Sequence, residues 1–280
     1  TTDIDMTGVT ECTPIGNDIE PFEGTLEGNG YAIRNLVIEL PAQDFVGLFG
    51  YLHGGTLQNI SLEGGSVVGD EKVGGLVGFS VDGTVSNCYA TGAVTGTITV
   101  GGLIGYSDSE SPVMQCYATG VVTAPQHAGG LIGRNFGPVT LCYATGAVAG
   151  DQYAGGLMAE NRAPVSDCYA TGTVTGYSDV GGLVGINYLG AVSDCYATGM
   201  VTGNSSVGGL VGDNDSGSVT ASFWDTETSG TAISAGGEGK TTAEMMAETT
   251  FTDVGWDFSD VWYMLEGGSY PFLVGNPEVK

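Results

Sequence analysis

Val73-Gly74-Gly75-Leu76-Val77-Gly78 and, after nine intervening residues, Cys88-Tyr89-Ala90-Thr91-Gly92 form one unit of a pattern that returns along most of the chain. Variants of the first motif centre on Leu48, Leu76, Leu103, Leu131, Leu157, Leu183 and Leu210, spaced by 28, 27, 28, 26, 26 and 27 residues. The second motif begins at Cys88, Cys116, Cys142, Cys168 and Cys195, spaced by 28, 26, 26 and 27 in the same register. Each unit holds three short β-like runs separated by Gly, Ser, Asn and Asp, with no helical period. A propeller blade needs about 40 residues and four strands, so a coil fits better. The sequence predicts an all-β fold, a right-handed parallel β-helix built as a three-sided solenoid of about seven rungs.

Aligning irregular units with regular ones places Leu36, Ile60 and Cys88 at one position and Ile38, Leu62 and Ala90 at another. With a strand period of two, both point inward, and Tyr89 and Thr91 point outward. Residues 36–225 are the expected coil. Residues 1–35, with Pro14, Pro21 and Glu27-Gly28-Asn29-Gly30, are the expected amino-terminal cap. Residues 226–280 are the expected carboxy-terminal cap, a small α/β-containing segment with one short helix at the capping box Thr241-Thr242-Ala243-Glu244. Trp256, Phe258, Trp262, Tyr263 and Phe272 are expected to cover the last rung.

Thirty-two acidic residues against six basic ones give a formal charge of −26. Such a field repels nucleic acid and anionic membranes, which reward clustered Lys and Arg. No run of 18 apolar residues exists, so no membrane insertion is expected. The chain starts at Thr1 with strand-like sequence, and any secretion signal is expected to have been removed ahead of this numbering. Fifty glycines alongside 41% hydrophobic residues mark a folded repeat rather than a disordered chain.

Gly75-Leu76-Val77-Gly78 and its six counterparts resemble the core of the GLUG-repeat family. Pro21-Phe22-Glu23-Gly24-Thr25-Leu26-Glu27-Gly28-Asn29-Gly30 resembles that family's lead-in, and Thr241-Thr242-Ala243-Glu244-Met245 its closing segment. Gly156-Leu157-Met158-Ala159 departs at the last glycine. The resemblance covers almost the whole chain. It implies an extracellular or cell-surface protein, often an adhesin; similar repeats adjoin the catalytic parts of IgA-cleaving metallopeptidases. No His-Glu-x-x-His occurs here and no catalytic residue carries over, so no enzyme is expected.

The outward rows are the candidate ligand-binding residues: Tyr89, Tyr117, Tyr143, Tyr169 and Tyr196, flanked by Thr91, Thr119, Thr145, Thr171 and Thr198. Phenol rings can stack on sugar or partner surface, while the plainer role is to stabilise neighbouring strands. A regular Thr array also suits ice, because outward residues repeat at about 4.8 Å across rungs and about 7 Å along a strand. Bulky Tyr beside the Thr row counts against that.

The five in-register cysteines share their inward place with Ile60 and Ser222 and read as small buried hydrophobes rather than disulfides or metal ligands. Cys12 lies outside that row. Asp167 and Asp194 occupy equivalent places, where Asn87, Gln115 and Leu141 also occur, so the position reads as a turn rather than a glycosidase pair. Arg134 and Glu160 follow Leu131 and Leu157 by three residues each, which suggests a cross-rung ion pair. Gly239-Lys240-Thr241 lacks the first glycine of a phosphate loop, and Asp213-Asn214-Asp215-Ser216-Gly217 misses the spacing of a calcium loop. No cofactor is expected, beyond calcium held loosely by the acidic surface. The expected protein is secreted or surface-displayed, adhesin-like and non-catalytic. Its expected partners are an extracellular glycan or protein surface, or ice, with a polysaccharide-degrading β-helix enzyme as a further alternative.

Overall fold

Each turn of the chain divides into short strands at residues held in the left-handed backbone region. The computed structural model describes residues 2–9 and 11–275, so the last five residues of the expected carboxy-terminal cap lie outside the described residues. In the turn quoted above, Val77–Val81, Thr84–Ser86, Tyr89–Ala90 and Ala93–Thr95 are successive strands, with Ile98–Gly101 leading into the next turn. Stacking produces four parallel sheets of seven, eight, ten and eleven strands, a right-handed solenoid of about eight turns. The coil therefore has four strand positions per turn where the sequence suggested three. The run Val85-Ser86-Asn87-Cys88-Tyr89-Ala90 is broken at Asn87, whose φ is 52°. Asn35, Asn59, Gln115, Leu141, Asp167, Asp194 and Ala221 repeat that break, with φ between 44° and 57°. Asn and Asp tolerate this region, whereas a Leu or Ala there costs about 1–2 kcal/mol, so the surrounding structure imposes the corner.

Register is one-to-one. Tyr89 pairs with Tyr117, Tyr117 with Tyr143, and so on to Tyr196 and Phe223. Inward residues form one continuous core: Leu76, Leu103, Leu131, Leu157, Leu183 and Leu210, the Val rows, and Cys88 with its four counterparts are all fully buried. Close approach of successive turns leaves no room for side chains at certain glycines. A Cβ on Gly146 would lie 1.9 Å from the Gly120 carbonyl oxygen.

Both ends are closed. Ile4–Asp5 pairs with Ala32–Arg34, and Arg34 bridges Asp3 and Glu63. Strands of the coil begin at Thr25–Glu27, ahead of residue 36. At the other end Trp224 takes the place held by Ala197 one turn earlier and plugs the core. Segment 226–240 then crosses the last turn, where Val201 and Gly209 donate to the Ser229 and Ile233 carbonyls, Ala235 donates to that of Val211, and Glu238–Lys240 adds a strand. These contacts use up the edge that an open sheet would present to other chains.

The capping box at Thr241 and Glu244 is formed and opens helix Thr242–Met245; a second short helix, Glu248–Thr252, and an antiparallel pair, Trp262–Tyr263 with Phe272–Leu273, complete the segment. Its aromatics do not cover the last rung as expected. They fold back along the side of the solenoid and bury a second apolar cluster outside the coil, with Trp256, Trp262, Phe251 and Met264 packed on Tyr143, Tyr169, Tyr196 and Phe223. Covering the stacked phenol row removes its apolar ring edges from water.

Candidate functional site

The Tyr row points out of the coil as expected, with rings stacked nearly parallel and their centres 4.6 to 5.1 Å apart from Tyr89 to Tyr196. It is not the open binding face that its sequence suggested. Tyr143, Tyr169 and Tyr196 are buried beneath the carboxy-terminal segment, and the Tyr196 hydroxyl donates to the Pro271 carbonyl. Burial, with Tyr169 and Tyr270 adding to it, pushes the Tyr196 hydroxyl well above its ordinary range. Tyr89 and Tyr117 remain half-buried and line a groove of about 390 Å³ closed by Val261 and Leu273. Because the ring faces are spent on one another, the row offers a ligand mainly edges.

Thr91, Thr119, Thr145, Thr171 and Thr198 are half-buried, and they are the first column of a wider array. Two residues on come Ala93, Val121, Ala147, Thr173 and Met200, and two further on Thr95, Thr123, Ala149, Thr175 and Thr202. All ten of these side chains are exposed except that of Ala147, which is half-buried, and the register of Thr95, Thr123, Ala149, Thr175 and Thr202 is continuous. None of these fifteen positions carries a charge, on a chain of −26.

The outer face of the Gly-Leu sheet carries a feature that motif reading missed. Three residues after each central Leu stand Tyr51, Phe79, Tyr106, Arg134, Glu160, Ile186 and Asp213 in register. Phe79 contacts Tyr51 and Tyr106 edge-on, each with ring centres 4.9 Å apart, and Lys72 Nζ stands 4.8 Å from the Phe45 ring centre. The expected Arg134–Glu160 pair is present as a two-pronged contact, Nε and Nη2 donating at 2.7 and 3.1 Å. Glu160 is buried and also accepts from Arg162 Nε and lies 3.2 Å from His127 Nε2. Burial alone would raise its carboxyl; the His127, Arg134 and Arg162 contacts outweigh that and hold it well below the carboxylate range. The rings missed their place in the motif because tyrosine, phenylalanine, arginine and glutamate alternate there. The signal was the register, Leu plus three, rather than any repeated letter.

Inside the coil the five repeated cysteines are free thiols, fully buried. They do more than fill space. Each Sγ donates to the carbonyl two residues back, as Cys142 does to Thr140 at 3.1 Å, and Cys142 Sγ accepts the Cys116 amide at 3.4 Å. Ser222 repeats both bonds at the last turn, donating to Thr220 and accepting from Cys195. The thiol thus ties the left-handed corner of one turn to the next. A second polar row runs beside the Gly-Leu strands: Asn135, Asn161, Asn187 and Asn214 are linked amide to amide at 2.9 to 3.0 Å. Asn214 places Asp213 and Asp215 in strand rather than in a calcium loop. Asp167 and Asp194 sit at the left-handed corner, and burial, then Asp167, raises the Asp194 carboxyl. Among the described residues no three His, Cys, Asp or Glu side chains converge as metal ligands.

The chain is 40% identical over 104 residues, 33% of its length, to halomucin of Haloquadratum walsbyi, and it spans about 1% of that relative. A crystal structure from Bacteroides ovatus, described as a candidate immunoglobulin A1 protease, superposes with a TM-score of 0.64 at 22% identity, over 98% of this chain and 84% of that one, which is a likeness of fold. The family model described as the GLUG motif matches residues 69–95 and 176–202. Those two segments stack in register with the turns around them, so that at least two turns of this solenoid carry the GLUG motif.

Proposed function

We propose that this chain is a secreted or surface-displayed, non-catalytic binding solenoid of adhesin type, and that its contact surface is the Thr/Ala/Val array rather than the Tyr row. The observation that carries this reading is a charge-free, exposed, regular array on an otherwise strongly acidic molecule. Solvated acidic faces keep the body soluble; a face from which charge is absent at fifteen adjacent positions is suited to contact. The GLUG motif and the likeness to halomucin support the extracellular setting. The likeness to the Bacteroides ovatus protein is one of fold and brings no reaction with it.

The array is too small to hold a second copy of the chain. Five rungs by three columns cover roughly 19 Å by 14 Å, about 270 Å², against about 800 Å² per partner in a stable protein interface. An extended polymer that runs past the array suits it better. Thr123→Glu puts a charge in its exposed part. Binding to a panel of immobilised glycans and extracellular proteins should be lost in this variant with the melting temperature unchanged; binding equal to that of the parent would remove the array from consideration.

Ice is the second reading, favoured by the two-dimensional repeat of about 4.8 Å by about 7 Å. The Tyr row that counted against it belongs to a neighbouring sheet, and three of its rings lie under the carboxy-terminal segment. Inhibition of ice recrystallisation that disappears in Thr123→Tyr is the expected result under this reading. Absence of both recrystallisation inhibition and thermal hysteresis in the parent protein eliminates it.

A further inference from the structure

Three of the six basic residues, Lys72, Arg134 and Arg162, and both histidines reach the outer face of the Gly-Leu sheet, Lys72 and His127 from strands of the neighbouring sheet. On a chain of −26 that is a marked concentration. The same face holds the aromatic row. Arg134 lies 5.6 Å from the Tyr106 ring centre and 5.4 Å from that of Phe136; Arg162 lies 5.2 Å from Phe136 and 4.2 Å from Tyr188. Buried Glu160 takes Arg134 by two nitrogens but Arg162 by Nε alone. Among the described residues the two terminal nitrogens of Arg162 have no hydrogen-bond partner, and its side chain is 36% exposed. Two guanidinium groups against the one buried carboxylate leave an excess of positive charge between Tyr106 and Tyr188, with Asp213 and Asp215 one rung further along the same face. Glu160 and the flanking rings hold the Arg162 fork in place ahead of any ligand, so little side-chain entropy remains to be lost on binding.

We propose that this face binds an acidic saccharide, with a sugar carboxylate received by the terminal nitrogens of Arg162 and neighbouring sugar rings laid against Tyr106, Phe79 and Tyr51. A planar fork with free parallel donors matches a carboxylate. The aromatic column runs three rungs, about 14 Å, from Tyr51 to Arg134, which suits a short oligosaccharide carrying apolar ring faces. A nucleic acid or a densely sulfated polymer brings charge at every unit and meets the repulsion of the whole body. A polymer that brings carboxylates to one local positive site meets it far less. The site stands apart from the Thr/Ala/Val array and does not rest on that reading.

The test is calorimetric titration of the intact chain with oligogalacturonate and oligoglucuronate, each beside its methyl ester. Binding is expected for at least one free acid, and it should weaken by roughly tenfold or more on esterification and in Arg162→Gln. Arg162→Lys keeps a cation beside Glu160 but loses the fork, and it should lose affinity while holding the parent's melting temperature. Equal binding of acid and ester, undiminished binding in a folded Arg162→Lys variant, or no binding of either acid would overturn the proposal.

Discussion

At the scale of single residues, the row of buried thiols shows how little a motif letter reveals of its task. Cys142 closes a left-handed corner by donating to Thr140 and accepting from Cys116. Serine performs the same two bonds at Ser222. Cys142→Ser should therefore cost about 1 kcal/mol or less. Cys142→Ala leaves the buried Cys116 amide without its acceptor and opens a small void, and should cost roughly 2–3 kcal/mol. Urea unfolding of both variants checks the ordering, and equal losses would show that the thiol acts by volume alone. The inward position of this row was legible from the alternation with Tyr and from Ile60 at the same place. The hydrogen bonds were not, because they depend on a corner whose dihedral angle only the stacked structure shows. The Asn row was legible in principle, since Asn135, Asn161, Asn187 and Asn214 recur at the repeat spacing. It begins only after Ser80 and Ser107 have held the same place, and that mixture hid it.

At the scale of elements, the coil and the carboxy-terminal segment differ in how far sequence determines them. A repeat specifies its own neighbours: once the period is known, every turn must lie on the last one, and the Tyr, Val and Leu rows follow. A segment without period carries no such instruction. Its aromatics announced a burial site but not whether that site was the end of the coil or its flank. The attachment is set by particular contacts. Asp225, fully buried, accepts from Thr242 Oγ1 and Tyr270 Oη, both at 2.7 Å, and from the amides of Glu227 and Thr228. Burial opposes its charge, but these bonds outweigh burial and lower its carboxyl below the ordinary value; burial and the same carboxylate push the Tyr270 hydroxyl up to about 12. A depressed carboxyl contributes stability that is complete above its unfolded value of about 3.9 and is lost as pH falls through the folded value. Asp225→Asn should accordingly cost about 2 kcal/mol at pH 7. That penalty should shrink below about pH 4, where the carboxyl of the unfolded chain begins to take up its proton while that of the folded parent is still ionised. Thermal unfolding of parent and variant between pH 7 and 2.5 tests this. A gap that stays constant with pH would mean that Asp225 acts by shape and not by charge.

For the molecule as a whole, charge is the property that sequence states outright and fold must accommodate. Thirty-two carboxylates against six cations on a slender solenoid repel one another across distances longer than any single pair. Unfolding lets those charges separate, so at low ionic strength repulsion favours the unfolded chain. The screening length falls from about 30 Å at 0.01 M salt to about 3 Å at 1 M. Over that range the repulsion between neighbouring turns, about 4.8 Å apart, should be largely suppressed. The principal buried attraction, Glu160 among Arg134, Arg162 and His127, lies where salt screens least. Salt should thus remove much of the destabilising electrostatics and little of the stabilising part. The melting temperature at pH 7 is expected to rise by several degrees between 0.01 and 1 M sodium chloride, most steeply at the low end. Chloride is the right salt for the measurement, because sulfate strengthens apolar burial by its exclusion from the surface. A melting temperature that is flat or falls with added chloride would mean that surface pairs such as Arg34 with Asp3 and Glu63 outweigh the repulsion, although exposed pairs are each worth no more than about 1 kcal/mol.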